Sequence, residues 1–181
     1  MKSGLKILLI SGVSGYNNLV AQSENVESAW SLIDVQLQRR YDLIPNLVAT
    51  VKEYAAHEEE IFANVAEARS KLAGGGSASD IAEADAELTG ALNRLIAIAE
   101  AYPELKANEN FINLQDELAG TENRIGNVRR DYNEAARSYN TAIRRFPMNI
   151  FAGMFGFESV DYYEAAEGTR ENHDVGDLFG D

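Results

Sequence analysis

From Phe111 onward, steps alternating between three and four residues land on Phe111, Leu114, Leu118, Thr121, Ile125, Val128, Tyr132, Ala135, Tyr139, Ala142 and Phe146, and only Thr121 is polar. A period of 3.5 held over about five heptads predicts one long helix with a single buried seam across 108–146. At 1.5 Å per residue that helix would be roughly 58 Å long, so partner helices must run beside it. The first half repeats the pattern in Tyr16, Leu19, Ser23, Val26, Trp30, Ile33 and Leu37, with Glu24, Glu27 and Asp34 off the seam. The phase carries on through Ile44, Leu47, Val51, Tyr54, Ile61, Val65, Ala68 and Leu72.

Pro45 interrupts this run, because proline lacks an amide hydrogen and crowds the carbonyl four residues back. The expectation is a first helix ending near Tyr41 and a second opening on Pro45. A kinked but continuous helix is the alternative that the unbroken phase allows. Gly74-Gly75-Gly76-Ser77-Ala78-Ser79 reads as a connector, and Ser79 or Asp80 can cap the helix after it. That third helix carries Ile81, Leu88, Leu92, Leu95, Ala99 and Tyr102 on one face and stops at Pro103. Leu105 to Asn108 turn into the long helix, which Pro147 ends.

Both flanks of this 16–147 bundle are different. In residues 1–15 an apolar run, Leu5 to Val13, follows Lys2 and surrounds Lys6. Nine helical residues span about 14 Å, against about 30 Å of bilayer hydrocarbon, so the run is too short to cross alone. Membrane anchoring, a secretory signal with small residues at Ser11 to Gly15, and packing between subunits remain as readings. Residues 148–157, MNIFAGMFGF, are apolar except for Asn149. This run suits an interface, the end of the bundle or another subunit. Residues 158–181 hold eight acids against one Arg, a net of −7, and read as a solvated acidic tail with Leu178 and Phe179 as contact points.

Composition narrows the classes. The 181 residues are 45% hydrophobic with only three Pro, which suits one all-α domain. A net charge of −13 argues against nucleic acid, and the absence of Cys removes thiolate and disulfide chemistry. A di-metal bundle needs a Glu-x-x-His pair on each of two helices. Here there are two His, His57 and His173, and three residues before His57 stands Tyr54. His57-Glu58-Glu59-Glu60 reads as a solvated face. No serine elbow or phosphate loop is present. The expectation is therefore no catalytic, cofactor-binding or metal-binding residues, and no enzyme.

Polar residues beside the seams carry more information: Arg39, Arg40, Asp42, Asn46, Glu100, Glu122, Asn123, Arg129, Asn133 and Asn140. Arg40 occupies a seam position, so it must find a partner. Its bland role is to fix helix register, and its sharper role is to line a ligand or partner pocket; register is preferred. Arg129, Arg130, Arg137, Arg144 and Arg145 crowd the C-terminal half of the long helix. A helix C-terminus suits cations, while beside 148–157 the same residues suit anionic lipid or an acidic partner.

YNNLV (16–20), VQLQRRYDLIPNLV (35–48), EAYPELKANENFINLQDELAGTENRI (100–125) and RRDYNEAARSYNTAIRRFP (129–147) closely resemble the LemA family, in order and spacing, from Tyr16 to about Phe157. The resemblance implies an antiparallel four-helix bundle of bacterial type, tethered to the cell membrane or envelope by an N-terminal transmembrane helix, with no agreed catalytic residues. The anchor is shorter here than the family's. The function expected is a non-enzymatic helical scaffold, associated with a membrane or assembled into a homo-oligomer through residues 5–13. The rival is a module that binds an envelope protein or small ligand through a polar groove.

Overall fold

The computed structural model describes residues 2–164, with side chains from Gly12 onward. Its described residues are helical apart from turns and one extended segment. Helix α1 spans Lys2–Lys52, α2 Glu59–Ala73, α3 Ala78–Ala97, α4 Pro103–Lys106, α5 Glu109–Arg144 and α6 Met148–Phe155. A single 3-10 turn, Ile98–Glu100, joins α3 towards α4.

Helix α1 runs unbroken past Pro45, against the expected break near Tyr41 and in line with the continuous alternative. Pro45 faces solvent, while Ile44, Leu47 and Val51 are all but inaccessible. An interior proline costs about 3 kcal/mol, and each fully buried large aliphatic side chain returns about 1.5–3 kcal/mol. Three of them on one seam outweigh the proline, so packing keeps the helix whole. The reversal comes later, at residues 53–58, in a stretch with no Gly or Pro. There the amides of Tyr54 and Ala55 both return to the Val51 carbonyl, at 3.1 and 2.9 Å. Buried Ala55 pins the turn to the core, and Asn108 Nδ2 donates to the Tyr54 hydroxyl at 3.0 Å. Asn108 also accepts from the Phe111 amide at 3.0 Å and so caps α5. One side chain thus fixes both the first reversal and the start of the longest predicted helix.

The cap of α3 is Ser77, not Ser79 or Asp80. Its hydroxyl accepts from the Asp80 amide, and the Asp80 carboxylate takes the Ser77 amide at 2.9 Å, a reciprocal capping box. These bonds hold the Asp80 carboxyl below its ordinary pKa. The acids Glu59 and Glu60 open α2, where the positive end of the helix dipole favours them. His57 is exposed, and His173 lies outside the described residues.

The core divides into two clusters along the rod. One joins Ile44, Leu47 and Val51 of α1 to Phe62 and Val65 of α2, Leu88, Leu92 and Leu95 of α3, and Phe111 and Leu118 of α5. The other joins Leu19, Val26, Ile33 and Leu37 of α1 to Ile81 of α3 and Ile125, Tyr132, Tyr139 and Ile143 of α5. The difference follows from helix length. At 1.5 Å per residue α1 reaches about 76 Å and α5 about 54 Å, but α2 and α3 reach only about 22 and 30 Å. The short pair therefore covers one half of the long pair and leaves the other half to be covered differently.

Residues 157–164 cover it. Expected from Glu158 onward as the start of a solvated tail, they instead lie extended along α5 as a strap. Gly156, at φ 74°, reverses the chain after α6, and the Phe157 amide closes the helix end on the Ala152 carbonyl at 3.0 Å. Tyr163 is 3% exposed and Val160 is half-buried, while Glu158, Asp161 and Glu164 face water. The acids made the segment look solvated; the residues between them are its buried face. Residues 165–181, the rest of the tail, lie outside the described residues.

Because Pro45 survives in α1 only by outside packing, Pro45→Ala should raise the melting temperature, by up to about 3 kcal/mol in stability. A fall in a circular dichroism melt would contradict the reading of one continuous helix.

Candidate functional site: a buried ionic layer and an exposed apolar end

Between the two apolar clusters lies a polar layer built around Asp85, whose side chain is wholly buried. Arg40 of α1 donates through Nη1 to Asp85 Oδ1 at 2.7 Å, and through Nη2 to Thr89 Oγ1 at 2.9 Å. Arg129 of α5 donates through Nη2 to Asp85 Oδ2. The strap supplies Tyr163, whose hydroxyl donates to the same Oδ2 at 3.2 Å while its ring lies under the Arg129 guanidinium at 4.7 Å. Glu122 Oε2 stands 2.9 Å from Arg40 Nη1, close enough to pair in charge but not aligned as a hydrogen bond. Two cations thus face two anions. Burial pulls the Arg40 pKa below its ordinary value, with Glu122 and Tyr163 pushing back.

Sequence-named polar residues fall into three groups. Arg40, Glu122 and Arg129 meet in this layer, as a register role requires. Asn133 and Asn140 clamp the strap instead. Asn140 donates to the Val160 carbonyl at 2.8 Å and accepts its amide at 2.9 Å, and Asn133 treats Tyr163 the same way at 2.9 and 2.8 Å. Seven helical residues rise about 10.5 Å and three extended residues cover about 10 Å, so the two clamps match in pitch. Arg39, Asp42, Asn46, Glu100 and Asn123 are exposed and do not join either group, Glu100 pairing with Lys106 at 2.7 Å. Asp85 and Tyr163 escaped the sequence reading. Asp85 had a signal, since it fills the missing step between Ile81 and Leu88 on the apolar face of α3.

Asp85 is the layer's buried centre, Glu122 and Arg129 reach partly into solvent, and no cluster of potential metal ligands stands among the described residues. The contacts join α1, α3, α5 and the strap in one register.

A family model described as the LemA family matches residues 29–176, most of the chain and nearly all of the bundle. The chain belongs to the LemA family. It is 30% identical over 175 residues to Magnetosome protein MamQ 2 of Paramagnetospirillum magneticum, an alignment covering 82% of this chain and 64% of that protein. Against Magnetosome protein MamQ of Magnetospirillum gryphiswaldense the identity is 29%, with the same coverage. Protein LemA of Metamycoplasma hominis is 27% identical over 90% of this chain and 74% of its own length. The chain therefore spans just under two thirds of the magnetosome relatives it matches.

The other unusual region of this LemA-family bundle is its end, where α1 enters and α5 leaves. Gly12 and Gly15 form a notch in α1 that receives α6. A Cβ on Gly15 would meet the flexible end of Met148, and one on Gly12 would meet the Phe151 ring at 3.1 Å. The small residues read from sequence as a cleavage pattern thus have a packing role. Tyr16 stacks edge-on against Phe155 and Phe157 at 4.8 and 5.8 Å, and Ala152 is buried. The outer face of this end is bare: Phe146 is 82% exposed, Met154 71%, Val13 62% and Phe155 55%. Phe146 was counted in the long seam, but α5 ends at Arg144 and releases it. No helix among the described residues is long and apolar enough to cross a membrane.

Two outcomes test the layer. Asp85→Ala strands two guanidinium groups and should cost about 3–5 kcal/mol. Replacing Arg40, Asp85, Glu122 and Arg129 together by Met, Leu, Gln and Met should recover most of that, because the charges then leave as a set. Denaturant melts in which the single variant loses under about 1 kcal/mol would remove the layer's structural role.

The strap has its own signature. Burial raises the Tyr163 pKa above the ordinary tyrosine value, although Arg129 and Arg40 pull part of the way back, and burial raises Tyr132 as well. A raised folded pKa means that this stability is complete below the unfolded value, about 10, and is lost as pH climbs through the folded one. The strap should therefore let go above about pH 10. Hydrogen exchange at 157–164 would rise with tyrosinate absorbance while helicity persists; simultaneous loss of helicity would show that strap and bundle are one unit.

Proposed function

We propose that this LemA-family chain is a non-enzymatic scaffold that stands on a membrane by its apolar end. The observation that carries the reading is the exposed set Val13, Phe146, Ile150, Met154 and Phe155, gathered where α1 continues back into the apolar run Leu5 to Val13. Elsewhere large exposed apolar residues are scattered, as on any soluble surface. Exposed apolar side chains at this end of a chain of net charge −13 need a cover. The contacts around buried Asp85 tie the bundle interior together, which fits a spacer or platform.

Self-assembly through the same end is the second reading, favoured by the six large aliphatic residues among 5–13. Copies joined end to end would bring Arg137, Arg144 and Arg145 of each into apposition, a like-charge contact that lipid avoids. Lipid is therefore the preferred cover.

The test is flotation of the purified chain with vesicles of phosphatidylcholine and phosphatidylglycerol, together with light scattering in their absence. Wild type should float, and deletion of residues 2–11 should weaken binding at least about tenfold, as expected from losing several buried aliphatic side chains. A chain that stays at the bottom of the gradient overturns the membrane reading. If it also forms an assembly that the deletion abolishes, self-association replaces it.

A further inference from the structure

Beside the apolar end lies an open cleft of about 550 Å³, lined by Asn18 and Gln22 of α1, Arg137, Ser138, Thr141, Ala142 and Arg145 of α5, and Met148 at the start of α6. Its character differs from its neighbourhood. On one side it touches α6, whose outer face carries Ile150 and Met154. Its lining brings in Arg137 near the end of α5 and Arg145 at its cap, with Ser138 and Thr141 between them in sequence. Among the described residues neither Arg137, Arg144 nor Arg145 has an acidic partner within 4.0 Å, in a chain where acids outnumber Lys and Arg by 29 to 16. Arg129, on the same helix, is by contrast consumed by Asp85.

Helix-dipole compensation alone does not explain Arg137. That effect acts within the last turn, which ends at Arg144, and Arg137 lies two turns earlier. An arginine fork suits phosphate oxygens, to which it presents several donors at once. Serine and threonine hydroxyls add donors of the same kind. The cleft thus offers anion chemistry, and the adjoining surface offers a place for hydrocarbon.

We infer that this cleft is a headgroup site for an anionic phospholipid. The phosphate sits between Arg137 and Arg145, and the acyl chains run out beside Phe146, Ile150 and Met154. The inference rests on the membrane reading above and sharpens it: attachment is selective for negative lipid, and α6 lies in the interface as its apolar floor. Acids more than about 10 Å from an anionic leaflet are screened from it by salt.

The experiment compares the full chain with three variants on vesicles of pure phosphatidylcholine and of phosphatidylcholine with phosphatidylglycerol. Arg137→Gln with Arg145→Gln should weaken binding to anionic vesicles roughly 25-fold, about fivefold for each arginine, and leave binding to neutral vesicles unchanged. Arg94→Gln with Arg124→Gln makes the same change in net charge on exposed positions outside the cleft, and should change little. Phe146→Ser with Met154→Ser should weaken binding to both vesicles. All four arginines and both apolar residues are exposed, so circular dichroism melts should match wild type. Equal binding of wild type to neutral and anionic vesicles, or equal losses in the two arginine pairs, overturns the headgroup site and leaves the scaffold reading intact. Failure of wild type to bind either vesicle overturns both.

Discussion

The rest of the molecule depends on the burial of Asp85. A carboxylate with no access to water is tolerable only if cations and donors surround it, and here they arrive from three other parts of the chain. Arg40 comes from α1, Arg129 from α5 and Tyr163 from the strap. Long helices with apolar seams slide easily against each other, since a slip of one heptad buries nearly the same area. A charge that has only one place to be satisfied removes that freedom. The layer also explains why the core falls into two clusters: apolar packing stops where the ionic set begins and resumes beyond it.

That layer links two halves with different construction. On one side four helices pack around Leu88, Leu95 and Phe111. On the other, the two long helices run on past the start of α3, and α6 with the strap substitutes for the missing pair. The strap is anchored through its backbone by Asn133 and Asn140 and finishes on Asp85 through Tyr163. The apolar end is thus mechanically joined to the ionic layer by way of Gly156 and the strap.

The helical class and the long seam of α5 were legible because a 3.5 period over many residues leaves little choice of fold. That Arg40 must find a partner was legible for a related reason, since a charge on a seam demands one, but its central partner Asp85 was not. Break points were harder to read. Pro45 is a strong local signal, yet buried Ile44, Leu47 and Val51 overrode it, and the true turn at 53–58 has no breaker residue. The strap was hidden by its own charges: Glu158, Asp161 and Glu164 occupy its solvent side, and the eye reads acidity before it reads the Phe157, Val160, Tyr163 spacing. Gly12 and Gly15 were read as features of a targeting segment, whereas their lack of side chains is what admits Met148 and Phe151. The apolar end itself was half visible, as two runs at opposite ends of the sequence that only the fold brings together.

The central claim is that the chain works through this end and that the remainder supports it. Hydrogen exchange along the full chain, with and without vesicles containing phosphatidylglycerol, tests this most directly. The account predicts added protection confined to the first turns of the described α1, the end of α5 and α6, with α2, α3 and the Asp85 layer unchanged. Protection appearing instead along the groove between α1 and the α2–α3 connector, or nowhere, would contradict it.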